Sequence, residues 1–521
     1  MFQKLSSLDK GSVWVILAVL SALFSYLVIA PPYFPSLGWA LSLGTLSTLV
    51  MILKENKTRF DRVLYSFTII LSFFIVFRAN EFITFLNIIA MFFLGSLLIL
   101  SRKEETRYGF LDFFLSPLTL FLKTFSIKST YALQIDSVWK NNVHISQKRV
   151  SEVLLSLGVS FVILLVIIPL LASANPIFGK LIGDILGIFN LQTWLQWMVE
   201  ADRIVLVIRS IFFLVLLFFI PRMLTYLNKP MLGFSNGVHQ SQLIGLILPK
   251  IIVSAVLLVF FITQAQLYFA SNETLLALGY SHSDYAREVF GQLTVVALVI
   301  LAIIYNDKDK KTLSTYLTYI LVLEGFFLAG IALKSVYDYS ATWGLTHKRL
   351  WGYTGVFWIT GVFGLFLYTY LGNLKNNFFV RRVILFSALT LAIVNMANFD
   401  ALIFHYRKSV THEGMDYIYL SSLSADAQSY KEQLDLTENR IVPGDKTSIE
   451  HMKARHAQQV ILYRIEDLQR KYKTIDIRHF NISEYAQYMK IKSIDTEKLQ
   501  EVLDARRPGP EEPDLYYPTY R

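Results

Sequence analysis

Long apolar runs, of about 14 to 21 residues, recur along the first 400 positions and are separated by short polar or basic stretches. Residues Ala401–Arg521 contain no such run. A bilayer-crossing helix needs about 20 predominantly apolar residues. Eleven runs meet or approach that length: Ser12–Ala30, Ser36–Leu53, Val63–Phe77, Phe82–Leu100, Val153–Leu171, Ile204–Ile220, Leu243–Thr263, Phe290–Tyr305, Leu313–Leu333, Tyr353–Leu371 and Val383–Met396. The third, eighth and last are short on this count, so the boundaries can move by several residues. Lipid offers the backbone no hydrogen-bond partner, so each run is predicted to be an α-helix. The expected fold class is an all-α integral membrane protein with about 11 transmembrane helices in residues 1–400. A mostly helical C-terminal extramembrane domain is expected in residues 401–521.

The first run follows Lys4 and Lys10, as in a secretory leader, but is about 19 residues long and ends at Pro31-Pro32. A leader's apolar core is only about 7–15 residues, so a retained first span is expected. Loop charge predicts orientation. With the N-terminus inside, inner segments hold about 22 Lys and Arg and outer loops about 7. Eleven spans then place the C-terminal domain outside the cytoplasmic membrane.

Two stretches fit a surface role better than a span. Tyr108–Val150 mixes Phe and Leu with Lys123, Lys128, Lys140 and Lys148, as expected of helices lying on the inner leaflet. Asn175–Arg203 opens with an Asn cap and Pro176 and reads as an outer amphipathic or re-entrant helix, a lid over the bundle or a substrate gate. In the tail, Asp416–Leu434 and Ser448–Tyr472 show helical periodicity, with Pro443-Gly444 between them. Thr447 and Glu450 fit a capping box for the second.

Composition sharpens this picture. Hydrophobic residues make up 54%, charged residues 17%, and mean hydropathy is +0.46. Residues 401–521 carry 18 Lys+Arg against 19 Asp+Glu, so the excess of +10 belongs to the membrane part. That suits a lipid bilayer with anionic headgroups on the cytoplasmic side. No nucleic-acid partner is expected, since no soluble basic module is visible. With no cysteine, disulfides, thiolate catalysis and Cys-ligated metal centres are excluded.

Ionisable residues inside spans are costly and are usually paired or functional. Glu324, Arg209 and Lys250 are the candidates, either as a Glu324–Arg209 pair or as a proton or ion site at Glu324. Arg78, Asn80 and Glu81 form a short polar turn, read as a salt-bridged hairpin. The outer-loop candidates are His282, Asp284 and Arg287, then Asp338, His347, Lys348 and Arg349. His282, Asp284 and His347 are metal-ligating types, but nothing in their spacing sets a coordination geometry, and no metal or cofactor is expected. Gly233-Phe234-Ser235-Asn236-Gly237 matches the nucleophile-elbow pattern but lacks the strand such an elbow requires, so it reads as a turn. Walker-type and His-Glu-x-x-His patterns are absent from the sequence.

Three segments carry a resemblance: Ser283-Asp284-Tyr285-Ala286-Arg287; Trp343-Gly344-Leu345-Thr346 with Arg349; and Asn398-Phe399-Asp400 continuing through Asp416, Tyr419-Leu420 and Leu423-Ser424-Ala425-Asp426-Ala427. Together they resemble a bacterial multi-pass membrane family known as a domain of unknown function, the 4153/4173 group. The family pattern has Gly-Phe shortly after Tyr-Ala-Arg, where this chain has Val289-Phe290. The resemblance implies an integral membrane fold and brings no activity or catalytic residue with it.

Three functional readings follow. The first is a non-enzymatic signalling, assembly or envelope component, with residues 401–521 offering a face to a protein partner. The second is a secondary transporter or channel using Glu324 and Arg209, although the repeated halves common in transporters are not evident. The third is a lipid- or glycan-modifying enzyme acting through Asp284, Arg287, His347 and Arg349.

Overall fold

The computed structural model describes residues 10–54, 57–100, 116–118, 120, 201–228, 247, 250–255, 257–258, 261, 296–305, 312–374, 376–407, 416–427, 429–438 and 449–505. The chain forms two compact units, Met1–Pro35 with Leu120–Lys229, and Ser36–Thr119 with Pro230–Arg521.

In the first unit, helix α1 (Lys10–Val28) packs on the longer Ala201–Asn228 helix. Polar contacts join them. The Ser25 hydroxyl donates to the Arg209 carbonyl at 2.6 Å, and Arg209 Nε donates to the Ile29 carbonyl at 2.8 Å. The Arg209 guanidinium also lies 5.3 Å from the Tyr26 ring centroid. It thereby satisfies one of the carbonyls that a helix C-terminus leaves without an intrahelical donor.

The second unit begins with α2 (Ser36–Leu53), α3 (Arg59–Phe77) and α4 (Glu81–Leu100), a sequential up-and-down set. At its basic end Lys54 Nζ donates to Asp61 Oδ1 at 2.8 Å and to the Leu98 carbonyl at 2.7 Å. One buried ammonium therefore ties three helix ends together. Asp61 also closes a capping box with Thr58 at the start of α3. Three further apolar helices follow: α5 (Thr312–Trp343), α6 (His347–Leu371) and α7 (Asn376–Ala397). Asn87 on α4 and Asn395 on α7 exchange reciprocal amide bonds of 2.8 Å, and Trp358 on α6 donates to Ser387 on α7. Such polar pairs join helices where lipid supplies no hydrophobic drive between them.

Six described helices are long and apolar enough to cross a membrane, and all lie in the second unit. The predicted Ser36–Leu53 run is reproduced residue for residue. The short third and last runs are extended to Arg59–Phe77 and Asn376–Ala397 by polar first turns. The first, sixth and eighth runs survive as shorter apolar helical stretches, Val15–Val28, Ile208–Ile220 and Val296–Tyr305. Val153–Leu171 lies outside the described residues, as do most of Tyr108–Val150 and Asn175–Arg203 and the Ser235 turn. Large side chains such as Phe73, Phe85, Leu323 and Phe327 are exposed on the spans, as lipid-facing positions require.

The C-terminal helices pack on the end of this unit opposite Lys54. Helix α8 (Phe399–His405) contains residue 400, where the hydropathy of the sequence changes. Then come α9 (Tyr417–Ser421), α10 (Tyr430–Glu438), α11 (Ile449–Lys473), a 3-10 turn at Ile477–His479, α12 (Ile482–Ile491) and α13 (Thr496–Ala505). The second tail helix matches expectation. The single helix expected over Asp416–Leu434 does not form, because residues 422–427 make a turn that spends its polar groups on tertiary bonds. Arg464 of α11 donates to the Ser422 and Leu423 carbonyls, and the Ser424 N–H donates to Asp400.

Candidate functional site

Three separate stretches converge on Asp400: the α3–α4 loop, the start of α6, and the 422–427 turn. Asn398 has φ 47°, the left-handed conformation, and its side chain caps α8 by accepting from the Ala401 N–H. This sharp entry turns Asp400 inward to 1% exposure. One carboxylate oxygen, Oδ1, accepts from His347 Nε2 at 3.1 Å and from the Ser424 N–H at 3.2 Å. The other, Oδ2, accepts from Asn80 Nδ2 at 2.7 Å. Burial pushes the Asp400 carboxyl up. The hydrogen bond and charge of His347, with the Asn80 and Ser424 donors, outweigh it and hold the group below the ordinary carboxylate range.

His347 is the first residue of α6, placed by the Thr346 cap after Gly344 at φ 77°. Its backbone N–H donates to the Tyr419 hydroxyl at 2.8 Å, and its ring Nδ1 lies 3.0 Å from that hydroxyl. The hydroxyl accepts the backbone proton and gives its own to Nδ1. In the neutral ring Nε2 then carries the hydrogen toward Asp400, which assigns that tautomer from the network. Tyr419 is set in place by Asp416, whose carboxylate caps α9 by accepting from the Tyr419 N–H.

A second carboxylate stands beside the first. Asp426 Oδ2 accepts from the Ala79 and Asn80 N–H groups at 2.8 and 3.0 Å, and Arg78 NH1 lies 3.9 Å from Oδ1. Asn398 Nδ2 donates to the Asp426 carbonyl, and Asn481 Nδ2 to the Arg78 carbonyl, both at 2.8 Å. Burial dominates here and raises the Asp426 carboxyl above the usual range, against the pull of its donors and Arg78.

Apolar packing surrounds these bonds. Ile83, Leu350, Phe399, Ile403, Leu420 and Leu423 form one buried cluster, and Trp351 lies edge-on between Phe82 and Phe399.

Asp400, His347 and Tyr419 reproduce the acid–base–hydroxyl order of a nucleophilic relay. Their acidity runs the other way. Burial, partly offset by the His347 N–H, pushes the Tyr419 phenol up to about 12, whereas an activated nucleophile requires a lowered value. The arrangement holds protons in place and joins three chain segments.

The sequence candidates fall in different places. Arg78 and His347 belong to this cluster. Glu81 is exposed in the first turn of α4. Arg349 donates to the Trp343 and Gly344 carbonyls and lies 4.0 Å over the Tyr339 ring, so it closes the loop before α6. Asp338 pairs with Lys334 at 2.6 Å on the surface, and Lys348 is exposed. His282, Asp284 and Arg287 lie outside the described residues. Among the described residues no group of three His, Asp or Glu side chains is set to hold a metal ion. Glu324 accepts from Ser254, and Arg209 donates to Ile29 and lies over the Tyr26 ring. Lys250 Nζ is fully buried and donates to Ser314 and Thr318.

Asp400, Tyr419, Asp426 and Asn398 were not singled out as a site by residue chemistry. They do lie in the segments that carry the family resemblance, and with Trp343–Thr346 and Arg349 those segments meet in space. Residues 65–434 match the model of a family described as Domain of unknown function (DUF4153). The chain belongs to that family. The match covers more than half of the sequence and contains every member of the cluster except Asn481. No curated protein and no solved structure matches the chain. As a DUF4153 member it is a multi-pass membrane protein, embedded in the bilayer through several apolar helices.

Proposed function

We propose that this DUF4153 chain is a non-enzymatic component of the bacterial cytoplasmic membrane, whose bundle carries the helices of residues 401–521 on its outer face for a protein partner. The observation that carries the reading is the use made of the buried polar groups. Asp400, His347, Tyr419 and Asp426 bond to one another's segments and to the α3–α4 loop, so each chemically capable side chain is engaged in fastening the cap to the spans. Orientation is supported by charge. Lys54, Lys57, Arg59, Arg62, Arg381 and Arg382 lie at the end away from the cap, as the positive-inside tendency requires of a cytoplasmic end. Two of the cations at the cap end are held internally, Arg78 by Asp426 and Arg349 by loop carbonyls.

Single His347→Gln and Tyr419→Phe variants, expressed in a deletion strain of the native host, test this. In the fastening role, growth under envelope stress tracks the amount of folded protein in the membrane for both variants. A variant that folds to wild-type level yet restores nothing would sink the reading and favour chemistry at the cluster.

A further inference from the structure

Glu324 lies 12 residues into α5, about 18 Å along the axis at 1.5 Å per residue. It is 4% exposed. Its Oε1 accepts from the Ser254 hydroxyl at 2.8 Å, while its Oε2 is buried and has no hydrogen-bond partner among the described residues. An ionised carboxylate presents two oxygens that both demand donors, and baring one inside an apolar span is strongly unfavourable. A neutral acid fits the contacts better: Oε1 accepts the serine proton and Oε2 carries the acid proton.

The surroundings differ on the two sides. Outward of Glu324, Leu328 and Ala332 follow at one-turn spacing and, with Ala297, Val356 and Ile359, line a small apolar cavity. Cavities of that lining stay dry. Beside it, the Phe363 ring packs so closely on Gly325 that an added Cβ would meet it at 2.5 Å. Toward the basic end the seam is polar. Lys250, one turn before Ser254, donates to the Ser314 carbonyl and hydroxyl at 3.0 and 2.9 Å and to the Thr318 hydroxyl at 2.6 Å. Among the described residues facing Glu324, Lys250 is the charged group on the 250–258 segment. Helix α6 presents Phe363 against Gly325, and Ala297 of the 296–305 segment lines the cavity with Leu328. Lys334 and Asp338 lie further out on α5 and pair with each other.

We propose that Glu324 is a proton-binding site, resting neutral and exchanging its proton with water on the basic side of the bundle along the Ser254–Thr318–Ser314 seam. Release breaks the Oε2–H bond and passes the proton to water, leaving the carboxylate. The Ser254 hydroxyl then donates to the anion, and the Lys250 ammonium one turn away offsets its charge. The return step reverses this. The site stands independently of the fastening role, and neither requires the other.

Infrared difference spectra of the full chain in liposomes, wild type against Glu324→Gln, test the proposal. The expected result is a protonated carboxyl stretch in the wild type at mildly acidic pH, absent from the variant and lost at alkaline pH. In Ser254→Ala the loss moves to higher pH. Absence of the band at acidic pH, or a band that pH never moves, overturns the proposal. Loss of the band on adding sodium at constant pH also overturns it, by making the site one for a metal cation. Should Glu324→Gln fail to fold, wild-type protein treated with a hydrophobic carbodiimide, which adds to protonated carboxyls, gives the same answer by peptide mapping. An adduct at Glu324 that fades as pH rises supports the site. No adduct at acidic pH, or one indifferent to pH, removes it.

Discussion

Nε2 of His347 lies 3.1 Å from Oδ1 of Asp400, across 53 residues of sequence. The pair joins the first turn of a membrane span to the first turn of the short helix that follows the last span. Asp400 thereby sets negative charge near the N-terminus of α6, where the helix dipole favours it.

Removing the charge at Asp400 should cost more than removing it at Asp426. In Asp400→Asn the amide brings its own donors against His347 and Asn80, which already donate. A buried donor left without an acceptor costs roughly 1–3 kcal/mol. In Asp426→Asn the remaining carbonyl oxygen still accepts from Ala79 and Asn80, so a loss under about 1 kcal/mol is expected. Thermal unfolding in detergent compares them, and equal losses would contradict the assigned geometry.

The pH dependence follows from the lowered Asp400 value. Folded Asp400 binds a proton less readily than the unfolded chain, whose reference value is 3.8. Its stabilisation is complete above that value and is lost as pH falls through the lower folded value. Asp426 is raised and has the opposite sign, losing stability as pH climbs through the window above 3.8. Denaturation followed across acidic pH should therefore fall less steeply in Asp400→Asn than in wild type. An unchanged slope would mean that Asp400 does not govern the acid limb.

Tyr419 should ionise late. Burial holds its phenol at about 12 against an ordinary 10.0, so the folded state loses stability as pH rises between those values. Ultraviolet titration of wild type minus Tyr419→Phe isolates this phenol, and a midpoint near the ordinary value would show that the site is open to water.

At the other end, Lys54 and Asp61 form a buried pair at 5% and 0% exposure. Lys54→Met or Asp61→Asn alone strands a charge and should cost about 3–5 kcal/mol. The double variant should recover a large part of that. A strictly additive double-mutant cycle would show that the two side chains act independently.

Orientation can be read cleanly because the chain has no cysteine. Cysteine placed at exposed Tyr463 on α11 should react with an impermeant thiol reagent from outside the inner membrane of spheroplasts, and cysteine at exposed Lys57 only after lysis. The reverse pattern would turn the protein over.

Much of the fold was legible because a span must supply its own backbone bonds and nearly all its side chains must be apolar. Ser36–Leu53 and Ile449–Lys473 could be read almost to the residue on length and periodicity. The 422–427 turn could not, since Leu423, Ala425 and Ala427 suit a helix equally well. What breaks the helix there is competition from Asp400, Arg464 and the α3–α4 loop, which are distant in sequence. Asp400 had the same problem. As one aspartate after an apolar run it carried no distinguishing local signal, and its importance lies in three donors from three segments.

By itself, the sequence determined the membrane class and the positions of the six apolar spans found among the described residues, which depend on local composition and helix length. Tertiary structure alone decided which polar residues meet. It placed His347 and Tyr419 on Asp400, gave Arg349 to its own loop, and set Glu324 beside Ser254. Hydrogen bonds are short and directional, so their partners are chosen by how helices pack and are not encoded in any one segment.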